Sequence, residues 1–577
     1  MAIDITLVDH RTKLQRALRK SWSDASIKRT VRQNLMEIYA DEPDDSYSEM
    51  SRDKEDLGTL LNLFQKFVRG HLLTLAYYSP KWSIEAQTAE ARGTDKRVQS
   101  FLTRYSEIIN FNKLQKQLAL DSAFGWAVCK VDNGPAPKGN TTPVVPRAYR
   151  INPDQLIVDP TVGDIDECAY IGDMYLVPLN EAQAHPEFIP ERAAKLQEFR
   201  QNSESSSIYS ANGAGDVDLY AEPMTRLLDV YIPAKGKIYT YPCPNDEFTM
   251  VAAEDGLLGD RESPINPYCM LNLLEMPGFL VELSRLKSLR GLHLVSNEML
   301  MKGVEQARSS QRNPVGPLGA EQDMSTALNA GDNNPIFLED KQQLSLYTIP
   351  GPDPSILGLG MNTAKMFSSE AGNLEVALGA SAGADTARQT EALLGQISAS
   401  QSLDRRAFEE FLAQIGKKMA ELAFSNDELE VKTLERVPGT QFQFSRLWAG
   451  PTKMPRVCTI DDMSFKVTPY STAFRTPQEK VSQLNQATQL ILQLFMAKGQ
   501  GAPLDLGAIT QEIAEAFDLV PSLLEWWNGQ DPTPQEQTNQ AYQTTAQKGQ
   551  GSDVRYQGSQ NTAPEQAPAP QDAGGIS

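Results

Sequence analysis

Few residues in this chain have both the type and the spacing that chemistry needs. The densest carboxylate group is Asp159, Asp164, Asp166 and Glu167, whose oxygens could ligate a hard cation such as Mg²⁺ or Ca²⁺. The spacing is not that of an EF-hand, and Pro160 and Gly163 lie among the acids, so the segment reads as a solvated turn. A metal-dependent enzyme using it stays open as an alternative. Gly358-Leu359-Gly360 begins like a dinucleotide loop but lacks the third glycine and a suitable preceding strand. Neither a GxxxxGK[ST] phosphate loop nor a GxSxG nucleophile elbow occurs. The five cysteines, Cys129, Cys168, Cys243, Cys269 and Cys458, contain no CxxC pair. That argues against a zinc site and a disulfide framework, and it is consistent with a reducing compartment. The histidines, His10, His71, His185 and His293, are dispersed, and His293, in a leucine-rich helix, reads as a packed or solvated side chain. Nothing here calls for a cofactor or a catalytic residue, and the chain reads as a non-enzyme.

What remains is scaffold. At 577 residues the chain exceeds what one hydrophobic core supports, so several parts are expected. Its 54 basic and 74 acidic residues leave a formal net charge of -20. Tight static binding to DNA usually needs a basic domain to neutralise phosphates, so that class is disfavoured. An acidic wall repels phosphates and is compatible with DNA that moves past it. The start, Met1-Ala2-Ile3-Asp4-Ile5-Thr6, has neither the basic end nor the apolar run of a signal peptide. The most apolar stretch, Met270 to Leu283, is interrupted by Glu275, Pro277, Gly278 and Glu282 and falls short of the roughly 20 apolar residues of a spanning helix.

Along the chain, a basic helical pattern runs from His10 to Ala40 and stops at Asp41-Glu42-Pro43-Asp44-Asp45. A second runs from Lys54 to Tyr77 and ends at Ser79-Pro80, because proline disfavours helix at the residue before it. Ile108 to Phe124 reads as helix, Gly125 to Val131 as strand and Pro135 to Pro146 as loop. Strands are expected at Arg147 to Ile151, Gln155 to Pro160 and Cys168 to Leu176, and an exposed loop from Gln201 to Asp218. A hairpin is expected over Leu227 to Tyr241, turning at Pro233 to Lys237.

Two long helical arms follow, Glu282 to Ser310 and Ser355 to Gly379, separated by an insert too long for a tight helix-helix loop. The first arm carries Arg285, Lys287, Arg290, Lys302 and Arg308 along one side. Within the insert, Pro335 to Leu338 and Leu344 to Tyr347 look like short strands. The second arm ends in the tiny residues Gly379-Ala380-Ser381-Ala382-Gly383-Ala384, and another helix begins at Asp385. Its residues Phe408, Phe411, Leu412, Ile415, Met419 and Leu422 fall on one face. A capping box at Thr476-Pro477-Gln478-Glu479 opens a last helical block that ends near Trp526-Trp527. From Asn528 large apolar residues nearly vanish, and that tail is expected to be disordered.

Three segments in this order carry a resemblance: Tyr78-Ser79-Pro80-Lys81-Trp82-Ser83-Ile84, Arg150 to Pro160 with Cys168 to Ile171, and Thr386-Ala387-Arg388-Gln389-Thr390-Glu391-Ala392. Over roughly Leu57 to Phe424 the chain resembles the portal proteins of tailed bacteriophages. The last segment departs from the family's Thr-Ala-x-Glu element by two extra residues. The resemblance implies an α+β, mainly helical portal fold with a β-rich wing, a helical-hairpin stem, a small α/β clip and a helical crown. By carry-over, 1–281 holds the N-terminal helices and wing, 282–310 the descending stem helix, 311–354 the clip and 355–379 the ascending stem helix. Residues 380–385 become the tunnel loop, 386–475 a wing helix and strands, 476–527 the crown, and 528–577 the polar tail.

The same resemblance implies a ring of about twelve subunits at one capsid vertex of the virion, assembled in the host bacterial cytoplasm. It implies a channel for packaging and ejecting double-stranded DNA. The partners would be terminase, a head-completion or adaptor protein, and capsid and scaffold proteins, with no membrane. The expected channel residues are Ala380, Ser381, Ala382, Gly383, Ala384, Asp385, Arg388 and Lys365, and the expected clip docking residues are Asn313, Pro314, Phe337 and Tyr347. A ring at -20 per subunit would carry roughly -240, leaving a few basic rings to limit DNA slippage. Another oligomeric virion connector or adaptor ring is the competing expectation.

Overall fold

The computed structural model describes residues 7–40, 61–135, 144–199, 223–274, 284–309, 312–315, 345–348, 351–371, 387–436, 443–453, 456, 458–468, 489 and 493. The chain divides into two units, Met1–Lys480 and Val481–Ser577, and all elements below belong to the first. The expected tunnel loop and tail, the expected crown apart from 489 and 493, the expected loop from Gln201 to Asp218 and the expected strand at Pro335 to Leu338 lie outside the described residues.

The described architecture is mixed helix and antiparallel sheet. Helices α1 (Val8–Asp24) and α2 (Ser26–Ala40) divide the expected N-terminal helix at Ala25. Helix α3 (Leu63–Leu75) opens at Asn62, whose side chain accepts a hydrogen bond from the Gln65 amide at 3.0 Å, a standard N-cap. Strand β1 (Trp82–Ala86), helix α4 (Thr94–Ile108), helix α5 (Phe111–Ala123) and strand β2 (Trp126–Pro135) follow. The expected loop at Pro135 to Pro146 is shorter than expected, because β2 runs through Pro135 and β3 (Val144–Ile151) already begins at Val144.

Strands β4 (Leu156–Val158), β5 (Ile171–Pro178), β6 (Met224–Ile232), β7 (Lys237–Pro242) and β8 (Gly259–Glu262) form one antiparallel sheet in chain order. The β6–β7 hairpin turns through Pro233–Lys235 and Gly236, whose φ of 61° suits glycine. Strand β9 (Tyr268–Asn272) joins β2 and β3 in a second sheet, order β3-β2-β9. Helix α6 (Arg285–Ser309), strands β10 (Arg312–Val315) and β11 (Ser345–Thr348), and helix α7 (Pro354–Glu370) come next. The 39-residue helix α8 (Ala387–Ser425), the ladder β12 (Val431–Arg436) with β13 (Gln443–Trp448), and β14 (Met463–Val467), paired with β1, complete the unit.

Alternation along β2 decides how the layers stack. Ala127, Cys129 and Val131 face one core together with α4 and the apolar side of α8. Trp126 and Val128 face the other way and pack with Leu156, Ile171, Tyr231 and Ile238 of the larger sheet. Phe408, Phe411, Leu412, Ile415, Met419 and Leu422 are all buried, so α8 presents its expected apolar face. Gly416 lets it lie against the Trp82 ring: a β-carbon there would stand 2.5 Å from that ring. A third core joins α2, α3, α6 and α7 through Leu35, Phe64, Leu286, Leu289 and Phe367.

Two buried ionic clusters tie these layers. Arg32 of α2 reaches Asp154 at 2.8 Å and Asp121 of α5 at 2.9 Å, and Arg150 of β3 shares Asp121. On the β2 face that carries Trp126, Lys130 contacts Asp173 at 2.8 Å and Asp229 at 2.6 Å. Those two carboxylates are register partners on β5 and β6, a like-charge pair that would repel without the ammonium between them.

Candidate functional site

The two expected helical arms are α6 and α7, and their contacts define a hairpin. Helices α6 and α7 run antiparallel. At the far end the Asp353 amide donates to Gln306 Oε1 at 3.0 Å; midway Gly360 lies against Met299 and Leu300; at the root the Phe367 ring stands tilted 6.1 Å from that of Phe64 in α3. Small residues set this close approach: a β-carbon on Gly303 would stand 2.4 Å from Leu357. Asp353 accepts from the Ser355 amide at 2.9 Å and Pro354 occupies the first helical position, which fixes where α7 starts. The amide at Ser355 holds the Asp353 carboxyl below its usual range.

Polar side chains inside the hairpin pin it. Ser296 Oγ donates to the Gly360 carbonyl at 2.9 Å, and the Asn297 side chain pairs with both the amide and the carbonyl of Leu61 at 3.0 Å. His293 is fully buried, its ring 4.9 Å from that of Phe64, so it is packed as expected. At the root Ser284 accepts from the Leu286 amide at 2.9 Å and donates to the Ala123 carbonyl. Arg285 forms a two-pronged pair with Asp404 of α8 at 2.8 and 2.9 Å. The charged side expected on the first arm is thus partly spent in pairs, since Lys302 also meets Glu298 at 2.7 Å.

A small cleft at this root is lined by Phe67, His71, Ser122, Asn272, Arg285 and Asp404. His71 Nε2 lies 3.0 Å from Ser122 Oγ, a spacing that would suit a nucleophile and its base. Ser122 Oγ also lies 2.8 Å from the Ala119 carbonyl, which competes with the imidazole for its single proton. Burial, and then the Arg285 charge, lower the His71 pKa to about 4.

Much of the α7 surface away from α6 is open. Leu359, Met361 and Met366 are 49%, 61% and 56% exposed, and Lys365 is exposed among them. Of the other expected channel residues, Arg388 lies in the first turn of α8, and Ala380, Ser381, Ala382, Gly383, Ala384 and Asp385 lie outside the described residues. Three expected docking residues share one ladder: Asn313 pairs with Tyr347, and Pro314 with Leu346, across β10 and β11. Phe337 lies outside the described residues.

The acidic turn has local uses for its carboxylates. Asp159 Oδ1 accepts from the Thr161 amide at 3.0 Å and hydroxyl at 2.6 Å, and Asp164 accepts from the Asp166 amide at 3.0 Å. Asp166 in turn meets Asn266 at 3.3 Å. Among the described residues no group of three or more His, Cys, Asp or Glu is placed to hold a metal ion, and no helix is long and apolar enough to cross a membrane.

Sequence reasoning missed the Lys130 cluster. Around it Arg261 bridges Asp229 at 2.8 Å and Asp132 at 2.7 Å, while Thr240 and Tyr175 donate to Asp229 at 2.7 and 3.1 Å and Tyr268 bonds Asp173. Burial pushes the Asp229 carboxyl up, but Lys130 and then Arg261 outweigh it and hold it well below the carboxylate range. Asp173 moves the other way, because burial outweighs Lys130 and Asp229 adds its repulsion. The available signal was an ionic residue at an inward position of each apolar strand, Lys130, Asp173 and Asp229. Compared with known proteins, the chain matches no family model and no curated sequence.

Proposed function

We propose that this chain is the subunit of a portal ring at one capsid vertex of a tailed bacteriophage. The ring would form the channel through which double-stranded DNA enters and leaves the head. The observation that carries this reading is the antiparallel α6–α7 hairpin, joined at its root to α5 and α8 and midway to Leu61 just before α3, with Leu359, Met361 and Met366 left in solvent around α7. Exposed apolar side chains of that size on one helix favour burial against something, and neighbouring copies around a ring would supply it. The β10–β11 ladder at the far end of the hairpin stands where a clip would dock terminase and a head-completion or adaptor protein. Capsid and scaffold proteins would surround the wing.

In this reading no catalytic residue or cofactor is needed. The acidic balance of the chain repels duplex phosphates, and Lys365 and Arg388 supply sparse positive rings that limit slippage. Negative-stain images of the purified full-length protein test the assembly. A ring of about twelve subunits with a central channel supports the portal. A compact monomer, or a ring of much lower order, refutes it. Deleting 311–354 should abolish terminase docking while the wing stays folded; intact docking would reject the clip assignment.

A further inference from the structure

We propose that Cys129 and Cys269 are a thiol pair that closes to a cross-strand disulfide when the folded protein meets a small-molecule disulfide. The two are register partners on adjacent antiparallel strands, β2 and β9, and both are free thiols. Two positions further along the same ladder the Val131 amide donates to the Pro267 carbonyl at 2.7 Å. Because the pattern repeats every second residue, Cys129 and Cys269 occupy a hydrogen-bonded pair, with Cα atoms about 5.5 Å apart. That Cα separation lies within the disulfide range, whereas the Cβ atoms of a hydrogen-bonded pair, about 5.5 Å apart, must close by about 1 Å, a movement an edge strand permits. Both side chains also lie on one face, since both enter the core that contains Ala127, Val131 and Leu271.

Access and reactivity differ between the partners. Strand β9 is an edge strand, while β2 is flanked on both sides. Edge strands open more readily than central ones, so Cys269 is exposed first when the ladder frays. Lys418 donates to the Tyr268 carbonyl at 2.6 Å and lies against the Cys269 thiol, where its charge favours the thiolate against the burial that disfavours it.

The exchange balances without a further reagent. The Cys269 thiolate attacks one sulfur of glutathione disulfide, forming a mixed disulfide, and the first glutathione thiolate leaves and takes up the proton that Cys269 gave up. The Cys129 thiolate then attacks Cys269 Sγ, forming the internal bond, and the second glutathione thiolate leaves with the proton from Cys129. Two protein thiols are oxidised and one glutathione disulfide is reduced to two thiols. Cys168, Cys243 and Cys458 have no such opposite number in any described strand ladder.

The test uses the full-length folded protein with glutathione disulfide at mildly alkaline pH, followed by alkylation and peptide mapping. Two of the five thiols should disappear, with one linked peptide pair containing Cys129 and Cys269. Cys269→Ala and Cys129→Ser should each abolish the link, and Cys129→Ala serves if the serine variant fails to fold. Retention of all five thiols, a link through another cysteine, or oxidation seen only in denaturant would overturn the proposal.

Discussion

Replacing Lys130 by methionine should cost the two sheets it joins more than any surface change, and the loss should be recovered by a second substitution. Lys130 is the only ion-pair partner of Asp173 among the described residues, at 2.8 Å, and Asp173 is buried. Asp229, by contrast, keeps Arg261 at 2.8 Å and the Thr240 hydroxyl at 2.7 Å after the ammonium is gone. The damage therefore concentrates on Asp173, left with the Tyr268 hydroxyl alone. Removing one partner of a buried pair typically costs about 3–5 kcal/mol, because the carboxyl left behind must either carry a charge the site cannot solvate or take up a proton against the pH. In the double variant Lys130→Met with Asp173→Asn the stranded charge is removed and the neutral amide still meets Tyr268. That variant should lie within about 1 kcal/mol of the parent, giving a coupling of about 2 kcal/mol or more.

Hydrogen exchange of the β5 and β6 amides reads this locally, free of the other parts of a long chain. The pH dependence has a definite sign. In Lys130→Met the folded state holds Asp173 protonated, while the unfolded carboxyl ionises above about 3.9. The folded state then binds the extra proton, so the variant gains stability as pH falls, by up to about 1.4 kcal/mol per unit until the unfolded pKa is reached. The penalty at pH 5 should be smaller than at pH 7.5. A loss below about 1 kcal/mol, no rescue by Asp173→Asn, or a penalty that grows in acid would refute the assignment.

Two further outcomes follow from the hairpin and its root. His71 is lowered to about 4, by burial first and Arg285 second, from an unfolded value near 6.5, so stability present above pH 6.5 should drain away between pH 6.5 and 4, by at most about 3 kcal/mol. His71→Gln should flatten that acid limb in urea titrations, and an unchanged limb would assign it to other groups. Along the hairpin, Gly303→Val drives side-chain atoms into Leu357 and should destabilise by about 1–3 kcal/mol, whereas Gly358, open to solvent in the subunit, should gain about 1 kcal/mol as alanine. Exchange protection of α7 in the isolated subunit distinguishes them, and equal effects would mean that the helices do not meet at Gly303.

Local periodicity carried the hairpin arms, the β6–β7 turn and the buried face of α8, because each is decided within a dozen or so neighbouring residues. Helix α4 was also available: Val98, Phe101, Leu102 and Tyr105 stand at helical spacing and are all buried, yet no element was assigned there. Pairings between distant segments were not legible. Strand β1 finds its partner in β14, with Trp82 opposite Val467, and Cys129 lies opposite Cys269, and nothing local encodes either register. The same holds for Asn313 and Tyr347: the resemblance put both in the expected docking region, but only the ladder brings them together.

The two buried clusters bear on the proposed role more than their stability suggests. Replacing a buried ionic group by apolar residues of similar volume is often neutral or stabilising, so Lys130 with its carboxylates is a costly way merely to hold two sheets together. What such a group does well is reject alternatives: sliding β5 against β6 by one residue would turn Asp173 to the opposite face and strand Asp229 without its partner. Arg32 does the same for α2, which meets Asp154 and Asp121 in one position only. In the proposed ring, about twelve repeats of the subunit would multiply any small angular error by the number of copies. Fixed register between the two sheets, and between them and the root of the hairpin, is the property such closure would demand.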